Sequence, residues 1–172
     1  AELMILTALV TVLAALLLSV VGDVALLGES KRAVLGGIAA FLLAHVAYVV
    51  AFVQLGPALP GVAAAALVVA PFGLWMQRRL AAGAGGLAPA VGAYIVVISA
   101  MVALATGVAW RGGEGAVLVL VAAVLFFVSD LFVARQRFVV RSSINRVVGL
   151  PIYYVAQLLF VEASTRVGVM GP

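Results

Sequence analysis

Apolar stretches of roughly 20 residues, the length that crosses a hydrocarbon core as a helix, follow one another along almost the whole 172-residue chain. Only 9% of the residues are charged and the mean hydropathy is +1.34. Soluble domains carry about 25% charged residues, so this chain reads as an integral membrane protein. The period-2 alternation of a membrane β-barrel is missing. What remains is an all-α, polytopic transmembrane helix bundle, in which each segment satisfies its own backbone groups.

The pattern predicts six spans, at residues 3–27, 33–55, 58–76, 87–110, 115–134 and 146–167, in a single integral-membrane domain over residues 1–172. The breaks hold G28-E-S-K-R, G56-P, Q77-R-R with the glycine-rich A81-A-G-A-G-G, R111-G-G-E, and R135-Q-R-F-V-V-R-S-S. The first stretch reaches Asp23 without a small-residue cleavage site, so it reads as a retained helix and not a signal peptide. On the second segment Gly36, Ala40 and Ala44 form a small-residue ridge for close helix packing.

Lysine and arginine divide unevenly between the ends of these spans. Lys31, Arg32, Arg78, Arg79, Arg135, Arg137, Arg141 and Arg146 fall on one side, and Arg111 and Arg166 on the other. Positive residues mark the cytoplasmic face, which puts both termini outside the cell membrane. Topology and contact with anionic lipid account for these cations, and the net charge of +4 needs no nucleic-acid partner. A sharper reading gives Arg137, Arg141 or Lys31 a lipid phosphate to hold.

The chain has no cysteine and one histidine, which removes disulfides, thiol catalysis and Cys- or His-rich metal sites. No metal and no cofactor are expected. Asp23, in S19-V-V-G-D23, and Asp130, in F126-F-V-S-D130, each interrupt an apolar run about one turn from its cytoplasmic end. An acid at membrane depth is costly and marks a site by default. From the same side come Tyr94, Tyr153, Tyr154 and Gln157, and His45 lies nearest the midplane. Ser19 shares a face with Asp23, Tyr153 with Gln157, and His45 stands in the stripe Phe41, His45, Tyr48, Phe52. Plainer roles exist for each: headgroup contact for an acid, packing for a tyrosine, a bond to its own helix carbonyl for Ser19 or Ser129. Fewer polar residues mark the other half, among them Thr7, Thr11, Gln54, Thr106 and Glu162.

Together S19-V-V-G-D23-V-A-L-L27, G37-I-A-A-F-L-L-A-H45-V-A-Y48, P89-A-V-G-A-Y94, F126-F-V-S-D130 and Y153-Y-V-A-Q157 resemble the YhhN/TMEM86 family of membrane lysoplasmalogenases, in the family's order and over most of the chain. Members usually carry further helix and a Lys-Pro element ahead of the Ser-x-x-Gly-Asp motif. The resemblance therefore implies a shortened member or missing N-terminal spans. It also implies hydrolysis of a lysoplasmalogen vinyl ether to a fatty aldehyde and a glycerophospho-base, with a lysophospholipid, water and the bilayer as partners.

Vinyl ethers yield to acid: protonation on carbon gives an oxocarbenium ion, which water traps. An apolar setting disfavours a charged carboxylate and a neighbouring carboxylate disfavours a second charge, so two acids can divide the acid and base roles. Asp23 and Asp130 are the expected catalytic pair, their individual roles open. His45, Tyr48, Tyr94, Tyr153, Tyr154, Gln157, Ser19 and Ser129 are the expected supporting or substrate-binding residues. A serine hydrolase is disfavoured by the missing Gly-x-Ser-x-Gly. The rival class is a small proton-coupled carrier or channel with the same acids as a relay; carriers favour helices broken near the midplane, and here Pro71 is the one central proline.

Overall fold

The computed structural model describes the backbone of residues 2–169 and the side chains of residues 6–166. The described residues form no strand. They fold into α1 (Glu2–Leu26), α2 (Lys31–Gln54), α3 (Leu59–Ala84), a single 3₁₀ turn (Gly85–Leu87), α4 (Ala88–Arg111), α5 (Ala116–Phe138) and α6 (Ser143–Val169).

Five separate stretches, not six, are long and apolar enough to cross a membrane, because the third runs for 53 residues as Leu59–Arg111. The break expected after residue 76 is absent. Arginine, leucine and alanine are strong helix formers, and they carry α3 past Gln77 to Ala84. The chain turns back only at Gly85, whose φ of +52° suits a residue without Cβ. Its two arms then pack antiparallel. Gly61 faces Trp110, Gly73 faces Ile95 and Ser99, and Gln77 Nε2 donates to the Ala88 carbonyl at 3.2 Å. Likewise α5 runs on to Phe138, so Arg78, Arg79, Arg135 and Arg137 stand on helix ends and not in loops.

Helices α1, α2, α4, α5 and α6 pack as a ring in that order, and α6 returns to α1 through a looser contact; α3 lies outside, on α4 and α5. Tyr48, Phe52, Met101 and Phe126 fill the centre with almost no exposure. Phe126 lies edge-on to Phe41, His45 and Tyr153, and Tyr48 stacks on Phe160 at 4.2 Å. Leucines and valines such as Leu13, Leu17, Val24, Leu67, Val96, Val117 and Leu158 point outward. An apolar outer surface of this extent suits lipid contact.

Small residues set how close the helices come. Gly22 meets the Phe41 ring and Gly37 meets Leu26, joining α1 to α2. Gly36 faces open space; the ridge is Gly37, Ala40 and Ala44, all buried, because 3.6 residues per turn puts residue 37 on that face. At the far end Ala58 N–H donates to the Gly107 carbonyl at 2.9 Å, and Arg111 donates to the Leu55 carbonyl at 2.7 Å, closing α2. The opposite end gathers Lys31, Arg32, Arg78, Arg79, Arg135, Arg137, Arg141 and Arg146, since α1, α3 and α5 end where α2, α4 and α6 begin.

A Cβ on Gly107 would meet Pro57, Val62 and the Ala58 carbonyl oxygen at 3.0 Å or less. Gly107→Leu should therefore lower stability by about 1–3 kcal/mol, read by unfolding in mixed detergent. Gly36→Ala should change it by less than about 0.5 kcal/mol.

Candidate active site

Asp23 sits one turn before the end of α1, half-buried, and accepts a hydrogen bond from the Tyr153 hydroxyl on α6 at 2.9 Å. Asp130 lies about two turns before the end of α5. Its Oδ2 accepts from the Tyr94 hydroxyl on α4 at 2.7 Å and lies 3.3 Å from His45 Nε2 on α2. Three helices thus supply partners to the two carboxylates. Both line one cavity of about 320 Å³ between α1, α5 and α6, where the helix ring is loosest.

The His45 ring has a defined proton arrangement. Nδ1 lies 2.6 Å from the Phe41 carbonyl, one turn earlier in α2. A carbonyl only accepts, so Nδ1 carries hydrogen and donates it. Nε2 of the neutral ring is then a bare acceptor, fully buried, without an aligned hydrogen bond and facing a carboxylate oxygen. Two acceptors at 3.3 Å repel unless a proton lies between them. His45 and Asp130 are thus placed to exchange a proton between Nε2 and Oδ2.

Behind this pair, the Tyr48 hydroxyl donates to Gln157 Oε1 at 2.6 Å, and Gln157 Nε2 has no protein acceptor. Phe126, one turn before Asp130, is the apolar wedge among these groups; its ring centroid is 4.6 Å from that of His45 and 5.3 Å from that of Tyr153. A smaller cavity of about 60 Å³ reaches Asp130 and Tyr94 from the side, between α2, α4 and α5. Among the described residues no three His, Asp or Glu side chains cluster as metal ligands do.

A sequence profile of the YhhN family matches residues 4–164, nearly the whole chain. The chain belongs to the YhhN family. Comparison with curated proteins and with solved structures gives no significant match.

In this YhhN protein the short motifs quoted from sequence converge. Asp23, His45, Tyr94, Asp130 and Tyr153 meet around the acids, and Tyr48 and Gln157 form the layer behind. Two expected serines donate within their own helices, although Ser129 also lines the cavity, and one expected tyrosine faces out. Ser19 donates to the Ala15 carbonyl at 2.8 Å and Ser129 to the Phe126 carbonyl at 2.7 Å, each within its own helix. Tyr154 faces outward, 55% exposed, and touches the site only through the Tyr153 ring, since successive helix positions are about 100° apart. In the other half of the bundle, Thr11 and Thr106 bond their own helices and Glu162 pairs with Arg166. Sequence reasoning gave no role to Phe126, Gln136 or Asn145 and read Arg146 only as one of the topology-setting cations, although the last three line the cavity; Gln136 stands in a stretch that reads only as a charged loop.

One histidine in the chain makes the proton arrangement directly observable. The ¹⁵N spectrum of labelled protein should show Nδ1 protonated. Asp130→Asn should move the Nε2 resonance by many parts per million while leaving Nδ1 nearly in place. A bare Nδ1 would overturn this assignment.

Proposed function

We propose that this YhhN protein is a membrane-embedded hydrolase that cleaves the vinyl ether of a lysoplasmalogen, an alkenyl glycerophosphocholine or glycerophosphoethanolamine. Family membership supports the reaction class. The observation that carries the mechanism is the pair of carboxylates facing one cavity, one of them 3.3 Å from an imidazole nitrogen.

In this reading the His45–Asp130 pair is the general acid and gives its proton to the outer vinyl carbon. The developing oxocarbenium ion is steadied by ionised Asp23, whose charge the Tyr153 hydroxyl holds in place. Asp23 then takes a proton from water as its oxygen bonds to the cationic carbon. The hemiacetal then collapses: its hydroxyl proton returns to the His45–Asp130 pair while protonated Asp23 gives its proton to the glycerol oxygen as the ether C–O bond breaks. One water is consumed, and a fatty aldehyde and a glycerophospho-base are released. Tyr94 fixes the Asp130 carboxyl, and the Tyr48–Gln157 bond braces the helices behind it. General acid–base groups of this kind contribute about 10²–10⁴-fold to a rate.

The same proposal includes six crossings of the cell membrane, counting the α3–α4 hairpin as two, in one domain. The cation-rich end lies in the cytoplasm, where positive residues are retained.

Purified protein in detergent should release aldehyde from lysoplasmalogen. Asp23→Asn and Asp130→Asn should each lower the rate by about 10²-fold or more with the fold intact. In D₂O the aldehyde should carry one deuterium on the carbon next to the carbonyl, because the first proton goes to carbon. An inactive wild type, or full rate in both folded variants, would sink the proposal.

A further inference from the structure

The cavity that holds the two acids has a second, oppositely charged end. Its rim is formed by Arg137 on α5, Arg141 in the α5–α6 turn and Arg146 on α6. Arg141 and Arg146 crowd Arg137 electrostatically, and Glu29 is the carboxylate set against them. That one acid is exposed and lies 3.8 Å from Arg141, a separation at which a surface pair contributes little. Three like charges around one opening repel, and the arrangement is relieved by an anion.

The turn that carries them is built without using them. Gln136 Oε1 accepts from the Ser142 N–H at 2.8 Å and from Asn145 Nδ2 at 2.9 Å. The same Asn145 amide donates to the Val140 carbonyl at 2.9 Å, and Asn145 Oδ1 accepts from Arg135 at 2.8 Å. Asn145 is buried, so this network is a fixed frame. Arg137 spends one donor on the Leu26 carbonyl that ends α1. Arg146 makes no hydrogen bond or ion pair among the described residues, and it lines the cavity. Guanidinium groups bind phosphate oxygens in a bidentate fork.

We propose that Arg137, Arg141 and Arg146 form a phosphate-binding site at the mouth of the acid-bearing cavity, and that its ligand is the phosphodiester of a single-chain lipid. The placement rests on the proposed vinyl-ether hydrolysis; the anion site rests on the cluster. Spacing supports the pairing of the two ends. Asp130 and Arg137 are seven residues apart on α5, roughly 10 Å along the axis. In a lysoplasmalogen five bonds separate phosphorus from the vinyl ether oxygen, roughly 6 Å extended. Adding one contact distance at each end bridges the two groups. A phosphate held at the mouth therefore sets the ether beside the acids, and the alkenyl chain leaves through the apolar side of the cavity lined by Leu26, Phe132, Val133 and Leu150.

The test is equilibrium binding to purified protein in a zwitterion-free detergent. The probe is an ester-linked lysophosphatidylcholine, which has no vinyl ether, compared with a monoacylglycerol of the same chain length and with inorganic phosphate. The lysophospholipid should bind about tenfold or more tightly than the monoacylglycerol. Arg146→Gln should remove most of that difference, and Arg137→Gln/Arg146→Gln all of it. Arg78→Gln, on the same end but away from the cavity, should leave it unchanged. Circular dichroism and gel filtration keep misfolding separate from lost binding. Equal binding of the two lipids, or unchanged binding in both arginine variants, would overturn the site. Tight inorganic phosphate binding, with no preference for the lysophospholipid, would overturn the lipid as ligand. The probe cannot be cleaved, so its binding and the aldehyde assay fail independently.

Discussion

A carboxylate inside an apolar helix bundle has to find its partners within the protein, and two such carboxylates dictate how these helices meet. Asp23 takes a hydroxyl from α6, and Asp130 takes a hydroxyl from α4 and faces an imidazole from α2. These contacts join α1 to α6, and α5 to both α4 and α2, so the site and the bundle's cross-connections are largely the same bonds. Around them the packing is aromatic. Phe126 touches the rings of both acid-centred groups, and Tyr48, Phe52 and Phe160 continue the layer toward the other end. A polar network buried this deeply rigidifies its surroundings only when its members are satisfied. The atoms left over are His45 Nε2 and Gln157 Nε2, and the first of these faces the Asp130 carboxyl.

The cavity follows from where close packing stops. Gly22 against Phe41 and Gly37 against Leu26 draw α1 onto α2, and Gly149 against Phe132 draws α6 onto α5. No comparable contact draws α1 onto α6, and the ring stays loosest there. The opening therefore lies beside the acids and runs out to the cationic end. Acids inside, arginines at the rim and an apolar wall give one passage three distinct environments.

Much of the fold was legible in the residues. Length and hydropathy gave the helices, and the uneven division of lysine and arginine gave the end at which they gather. The errors came where local preference and span length disagree. Six separate spans were expected because Gln77, Arg78 and Arg79 looked like a loop; they are helix, since charged residues with good helical propensity extend a helix out of the apolar zone as readily as they end it. Gly36 was credited with packing that Gly37 performs, a difference of one position and about 100° around the axis. Tyr154 was grouped with Tyr153 for the same reason.

By itself the sequence determined that the chain is helical and apolar, that its acids lie near one end, and that it carries the motifs of the YhhN family. Those properties depend on composition and on spacing within one helix, where neighbours are three or four residues apart. Only the tertiary structure decided which hydroxyl bonds which acid, that His45 donates from Nδ1 and turns Nε2 to Asp130, that Ser19 and Ser129 donate to their own helices, and that Arg146 lines the same cavity. The bonds between helices join residues 36 to 130 positions apart, and they depend on the rotation of each helix about its axis. That rotation is set by glycine contacts and ring packing summed over the whole bundle, which no single stretch of sequence contains.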